Sequence, residues 1–197
     1  MKAYLIPLLL YILTPLILDF FIKNIYISYF VGIILTGILL FYYRKHYKIK
    51  LRIKLLSFII GIIIFLCWIS IPNIYPFFIS TQFVPTNTSF LLFKLLAMIS
   101  VVPLTEELFT RGFLIRYFAA KEWKKVPTGK FTWLSFIVTV LFFGFSHNRW
   151  LPGLIVGILL NILLYKTKNL GDCIIAHGFA NLLVGLYVTY TNSWFLW

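Results

Sequence analysis

Of the 197 residues, 61% are hydrophobic and 12% charged, and the mean hydropathy is +0.96. Water-soluble domains run near 45–50% apolar and about 25% charged, so a soluble fold is excluded and lipid must take up the surplus apolar surface. The net charge of +13 would suit nucleic acid, but the basic residues stand in short connectors between apolar runs. That placement encodes membrane topology, so no nucleic-acid partner is expected.

Seven apolar runs are long and continuous enough to read as membrane helices, at about 3–22, 25–43, 55–71, 89–116, 131–147, 152–165 and 172–191. Their apolarity is continuous rather than alternating, which favours helices over barrel strands. The expected fold is therefore an all-α polytopic membrane protein, a bundle of about seven transmembrane helices, with membrane lipid as its surroundings. The first run lacks a small-residue cleavage site and is followed by further spans, so it is expected to be retained. Neither a soluble domain nor a repeat of 20–50 residues is visible.

The first three spans carry few polar residues. The connector after the second, Arg44 to Lys54, holds six Lys or Arg. The connector from Arg116 to Lys130 holds five, Lys166 and Lys168 add two, and residues 72–88 hold none. Basic and basic-poor connectors alternate, so the expected orientation has the N-terminus in the cytoplasm and the C-terminus outside. The Ile-, Lys- and Asn-rich usage is that of an AT-rich bacterial genome, which makes a bacterial cell membrane the expected location. Cys67 and Cys173 show neither metal-ligand nor disulfide-framework spacing.

The fourth span concentrates the charge. It reads Pro103-Leu104-Thr105-Glu106-Glu107-Leu108-Phe109-Thr110-Arg111, placing two of the five acidic residues side by side in an apolar helix. Each ionisable group in a span costs on the order of 2.5–3.5 kcal/mol on insertion scales, so each needs a reason. Glu107 and Arg111 stand four apart and pair on one helix face. Glu106 points about 100° away, toward the protein interior or a wet cavity. Pro103 removes a backbone hydrogen bond and invites a kink.

The fifth span ends Phe143-Gly144-Phe145-Ser146-His147, and the seventh carries His177-Gly178-Phe179-Ala180-Asn181. In each, the outer two residues share a helix face. A carboxylate, two imidazoles and a carboxamide from three helices can thus converge on a buried water. A desolvated carboxylate becomes a competent base, and imidazole and carboxamide donors stabilise an oxyanion. The bland alternative is interhelical glue, which any one of these motifs would satisfy alone. Other readings are transport, for which no inverted repeat is visible, and a cysteine protease pairing Cys173 with His177, for which nothing would orient the imidazole.

The order E-E-x-x-x-R, F-x-x-x-H and H-x-x-x-N on successive late spans resembles the CPBP intramembrane proteases, the Abi family. That family includes CAAX prenyl endopeptidases and bacteriocin-processing relatives. The likeness extends over about 89–190 and includes Gly153-Leu154-Ile155-Val156-Gly157 and Lys166-Thr167-Lys168-Asn169-Leu170. It divides the chain into N-terminal helices without family signature, 1–88, and a catalytic helical core, 89–191. The resemblance implies an endopeptidase acting on a membrane-associated or lipidated peptide or protein, such as a CAAX protein, a pheromone or bacteriocin precursor, or a sorting-tagged protein.

In that reading Glu106 with His147 activates water, His177 with Asn181 binds the oxyanion, and Glu107, Arg111 and Phe143 support them. Glu106, His147 and His177 are also a set that would bind a divalent metal such as zinc. The glutamic mechanism, with no cofactor, is preferred because Asn181 suits an oxyanion site and no carboxylate is expected behind the histidines. A non-catalytic scaffold or bacteriocin self-immunity protein of the same fold is the alternative.

The reading carries one geometric difficulty. Counted from the cytoplasmic span ends, Glu106 is about 10 residues deep, His147 about 16 and His177 about 5. At about 1.5 Å per residue the histidines would differ by roughly 15 Å in depth. They meet only if the segment 166–176 dips into the membrane or the fifth helix starts late.

Overall fold

A computed structural model describes residues 1–71, 84–85 and 87–197, so the connector 72–88 lies largely outside it. The described residues are helical and contain no strand. The helices are α1 (Lys2–Ile22), α2 (Ile25–Tyr42), α3 (Leu55–Ser70), α4 (Thr88–Ile99), α5 (Val101–Glu107), α6 (Ile115–Ala119), α7 (Trp133–Phe145), α8 (Trp150–Thr167) and α9 (Leu170–Thr191). A π-helical stretch, Leu108–Leu114, joins α5 to α6, so α4 to α6 form one bent span.

The fold is thus the all-α polytopic bundle expected. Among the described residues five spans are long and apolar enough to cross a membrane: α1, α2, the composite Thr88–Ala119, α8 and α9. The chain is a multi-pass membrane protein. Helices α3 and α7, with 16 and 13 residues, are shorter. At about 1.5 Å per residue, α7 falls well short of a hydrocarbon core about 30 Å thick. Irregular backbone at 146–149 joins it to α8. Arg149 in this turn ties it to the end of α3, donating from Nη1 to Trp68 O at 2.7 Å and from Nη2 to Ile71 O at 2.5 Å.

Side-chain oxygens fix several helix starts. Asn24 accepts from the N–H of Tyr26 and Ile27, Asn87 from Phe90, and Thr132 from Ser135. The helices then pack as the pairs α1–α2, α3–α9 and α7–α8. Close approach in the last pair depends on glycine, since a Cβ on Gly153 would stand 3.1 Å from Gly144 Cα. The main core lies among α3, α7, α8 and α9, around Ile64, Phe143, Leu160, Leu164 and Ala176.

The expected single helix over 89–116 is broken twice. The first break, at Ser100 (φ −125°, ψ −77°), lies three residues before Pro103. Proline has no N–H to return to the carbonyl four residues back, here Ile99 O, so the ladder opens there. The second is the π-helical stretch, in which the Thr110 hydroxyl donates to Glu106 O at 2.5 Å.

Candidate functional site

Both breaks flank Glu106 and Glu107 and set where their side chains point. Glu107 and Arg111 are fully buried and paired, Nη1 to Oε1 at 3.1 Å, as expected from their spacing. The pair is part of a larger network. Arg111 also donates from Nε to Asn161 Oδ1 at 3.1 Å and from Nη2 to Gly157 O at 3.2 Å, and its guanidinium stacks 4.4 Å from the Phe143 ring centroid. Asn161 in turn donates to Thr139 Oγ1 at 2.9 Å. Asn161 escaped the sequence reading, because one asparagine in an apolar helix gives no periodic signal.

Glu107 has a second partner that the sequence reading missed. Its Oε1 lies 2.9 Å from His177 Nδ1. The expectation that no carboxylate stands behind the histidines is therefore wrong. Glu107 precedes its arginine by one helical turn, yet the α9 packing also brings His177 against it. Glu107 Oε1 accepts from Arg111 Nη1 and from His177 Nδ1, which leaves His177 Nε2 facing away from Glu107.

His147 reaches the same state by another route. It does not lie within the fifth helix, as expected, but just past its cap residue Ser146. Its Nδ1 is 2.6 Å from Phe143 O, an acceptor only, so Nδ1 donates and Nε2 is again the exposed lone pair. Phe143 serves both rings, with centroids 4.7 Å from His147 and 5.7 Å from His177. Trp68 packs on the other side of His147 at 5.8 Å.

Glu106 completes the convergence. Its Oε2 lies 3.9 Å from His147 Nε2 and 3.9 Å from His177 Nε2, and it is buried with no hydrogen-bond partner among the described residues. Three acceptor atoms thus face one point, an arrangement that is stable only with a water, a shared proton or a cation between them. Both histidines reach Glu106 despite the depth difference counted along the spans. Helix α7 begins at Trp133, later than expected. The start of α9 lies beneath the basic connector: Gly171 packs on the Lys50 carbonyl, Asn169 Nδ2 donates to Lys50 O at 2.9 Å, and Lys54 meets buried Asp172 at 3.5 Å.

Asn181 faces the same cavity, and its Nδ2 donates to Met98 O at 2.8 Å, beside the break at Ser100. One N–H of the amide is thereby fixed, and the second remains for the cavity. The cavity has a volume of about 320 Å³ and is lined by Glu106, His147, His177 and Asn181 together with Leu8, Tyr11, Tyr29 and Trp68 from the first three helices. These helices lack a family signature yet supply much of its wall. All four predicted site residues are therefore brought to one cavity, with Glu107, Arg111 and Phe143 packed behind them.

The donor set suits a divalent metal in kind but not in spacing. Two imidazoles offering Nε2, each fixed through Nδ1, and one carboxylate match a catalytic zinc set in kind. The 3.9 Å separations are wider than the roughly 3.3 Å between ligands about 2.0–2.1 Å from a tetrahedral ion, and no three His, Cys, Asp or Glu among the described residues stand at metal-binding spacing.

Comparison with known proteins bears on the same half of the chain. The family described as Type II CAAX prenyl endopeptidase Rce1-like matches residues 88–183. UPF0177 protein YbdI of Lactococcus lactis subsp. lactis (strain IL1403) is 28% identical over 102 residues, which are 48% of this chain and 49% of that protein. The chain thus spans about half the length of this curated relative. No solved structure matches the chain.

Proposed function

We propose that the chain, which over residues 88–183 is similar to the Rce1-like family of type II CAAX prenyl endopeptidases, is an intramembrane endopeptidase working from the Glu106 cavity. The observation that carries this reading is the buried Glu106 Oε2, 3.9 Å from the Nε2 atoms of both His147 and His177. A family match says which chemistry to look for, and this convergence supplies the atoms for it.

In the proposed reaction Glu106 takes a proton from a water, and the oxygen of that water attacks the scissile carbonyl carbon. The carbonyl oxygen becomes an oxyanion that accepts from the free N–H of Asn181 and from His177 Nε2, which enters the reaction carrying the proton held between it and Glu106. Glu107 stabilises that imidazolium by accepting from its Nδ1, and Arg111 holds Glu107 in place. Collapse breaks the C–N bond, and the proton on Glu106 passes to the leaving amine, with His147 Nε2 relaying it. A divalent ion held by Glu106, His147 and His177 would supply Lewis-acid polarisation and a more acidic water. Glu107 and Phe143 O would orient the two imidazoles in that case as well.

The substrate class we propose is a membrane-associated or lipidated peptide or protein, since the site lies between spans and apolar side chains form most of its wall. The proposed N-terminus is cytoplasmic, which the basic connectors support, and the proposed setting is a bacterial cell membrane, which the Ile-, Lys- and Asn-rich usage supports.

The test is Glu106→Gln, which keeps size and hydrogen bonding and removes the base. Loss of a general base is typically worth 10²–10⁴-fold in rate, so processing of the cognate precursor should fall by that factor at unchanged protein abundance. Full processing by a well-expressed variant would refute catalysis and favour a non-catalytic scaffold or immunity protein. Assays with and without a chelator, with metal analysis of the purified protein, separate the glutamic from the metal-dependent route.

A further inference from the structure

The cavity holds a basic side chain that the reaction above does not use. Lys94, on α4, is only 7% exposed, lines the same cavity as Glu106 and Asn181, and has its Nζ 4.4 Å from the ring centroid of Trp197. Lysine is costly at such depth and would normally reach for an interface. Here it is turned inward, on the helical stripe Lys94, Met98, Val102, Glu106 and Thr110 that forms one wall of the cavity.

We propose that Lys94 is the subsite for a substrate carboxylate, setting how far the cleaved bond lies from an anionic group. This rests on the endopeptidase reading and adds a specificity determinant to it. A buried ammonium is stabilised by an indole face, and more strongly by a carboxylate with which it shares charge-assisted hydrogen bonds. Lys94 and Glu106 are twelve positions apart, about 18 Å along a straight helix at about 1.5 Å per residue. An extended peptide covers that distance in about five residues, and the break at Ser100 shortens it. A peptide carbonyl at Glu106 thus places a carboxylate four to five residues further on at Lys94.

The test uses the full chain in lipid nanodiscs and S-farnesylated peptides that extend one to seven residues beyond the modified cysteine, each as free acid and as C-terminal amide. Binding is measured on Glu106→Gln protein, where hydrolysis does not interfere. The expected result is that free acids of the matching length bind about tenfold or more tighter than their amides, the usual scale for one charge-assisted hydrogen bond. That preference should vanish in Lys94→Met and persist in Lys94→Arg. An amide regaining affinity from an aspartate at the same distance assigns the carboxylate to a side chain, and failure to regain it assigns it to a chain end; both sustain the subsite. Equal binding of acid and amide with Lys94 present overturns it, as does an acid preference that survives Lys94→Met. The first of these needs no substitution at Lys94, so poor folding of that variant does not shield the inference. Cleavage is scored separately on the unsubstituted chain. Acid preference without cleavage would sink the endopeptidase reading and leave the subsite standing.

Discussion

Two imidazoles with different partners present the same face to Glu106. His177 is held by a carboxylate and His147 by the carbonyl of Phe143, yet each is left with its Nε2 toward Glu106 Oε2. The arginine behind them is satisfied at Glu107, Thr110, Asn161 and Gly157, so its removal would strand several buried acceptors together. Arg111→Ala should therefore cost on the order of 3–5 kcal/mol, the scale for breaking a buried pair, and lower abundance as well as activity. Asn161→Ala removes one neutral partner of Arg111 and one of Thr139, and should cost less, about 1–3 kcal/mol. Thermal unfolding of both variants in detergent checks the ranking. An Asn161→Ala protein as unstable as Arg111→Ala would mean that the network is centred on Asn161 rather than on the charge pair.

The helices that carry these residues owe their approach to a few local breaks. Pro103 leaves Ile99 O without its helical donor, and α9 comes so close to that carbonyl that a Cβ on Gly178 would stand 2.6 Å from it. The obstacle is backbone and cannot rotate away. Gly178→Ala should thus push α9 from α4, stretch the Asn181–Met98 contact, and cost about 1–3 kcal/mol as overpacking does. Gly37→Ala is the control, because its Cβ would meet only Val101 Cγ2, at 4.0 Å, and should be neutral or stabilising. Equal melting temperatures for the two variants would rule out the close approach. Much at this scale was legible in the sequence. The seven spans follow from apolar run length, and the pairing of Glu107 with Arg111 follows from a four-residue spacing. What did not show is long-range: His177 on Glu107, Asn181 on Met98 O and Lys94 in the cavity depend on which helices pack together. The π-helical stretch was equally hidden, since no residue pattern marks it.

For the molecule as a whole, charge and site lie at different depths of one bundle. The connector 44–54 covers the start of α9 through Asn169 and Asp172, and Lys168 reaches Gly129 O in the connector before α7. Three basic connectors therefore contact one another through these bonds and share one face of the bundle. The positive-inside rule makes that face the one proposed to be cytoplasmic, since positive charge resists translocation. The site lies further in, so a substrate carboxylate bound at Lys94 would sit beyond Glu106, away from the basic face. Single cysteines at Lys48 and Lys124 should accordingly react with a membrane-impermeant thiol reagent only after the cytoplasmic side is opened. One at Asn192, past the end of α9, should react in intact cells. Cys173 is buried and Cys67 half-buried, so replacing both by alanine gives a clean background. Labelling of positions 48 and 124 in intact cells would reverse the orientation, leaving the geometry around Glu106 unchanged but moving the substrate's entry to the outer face.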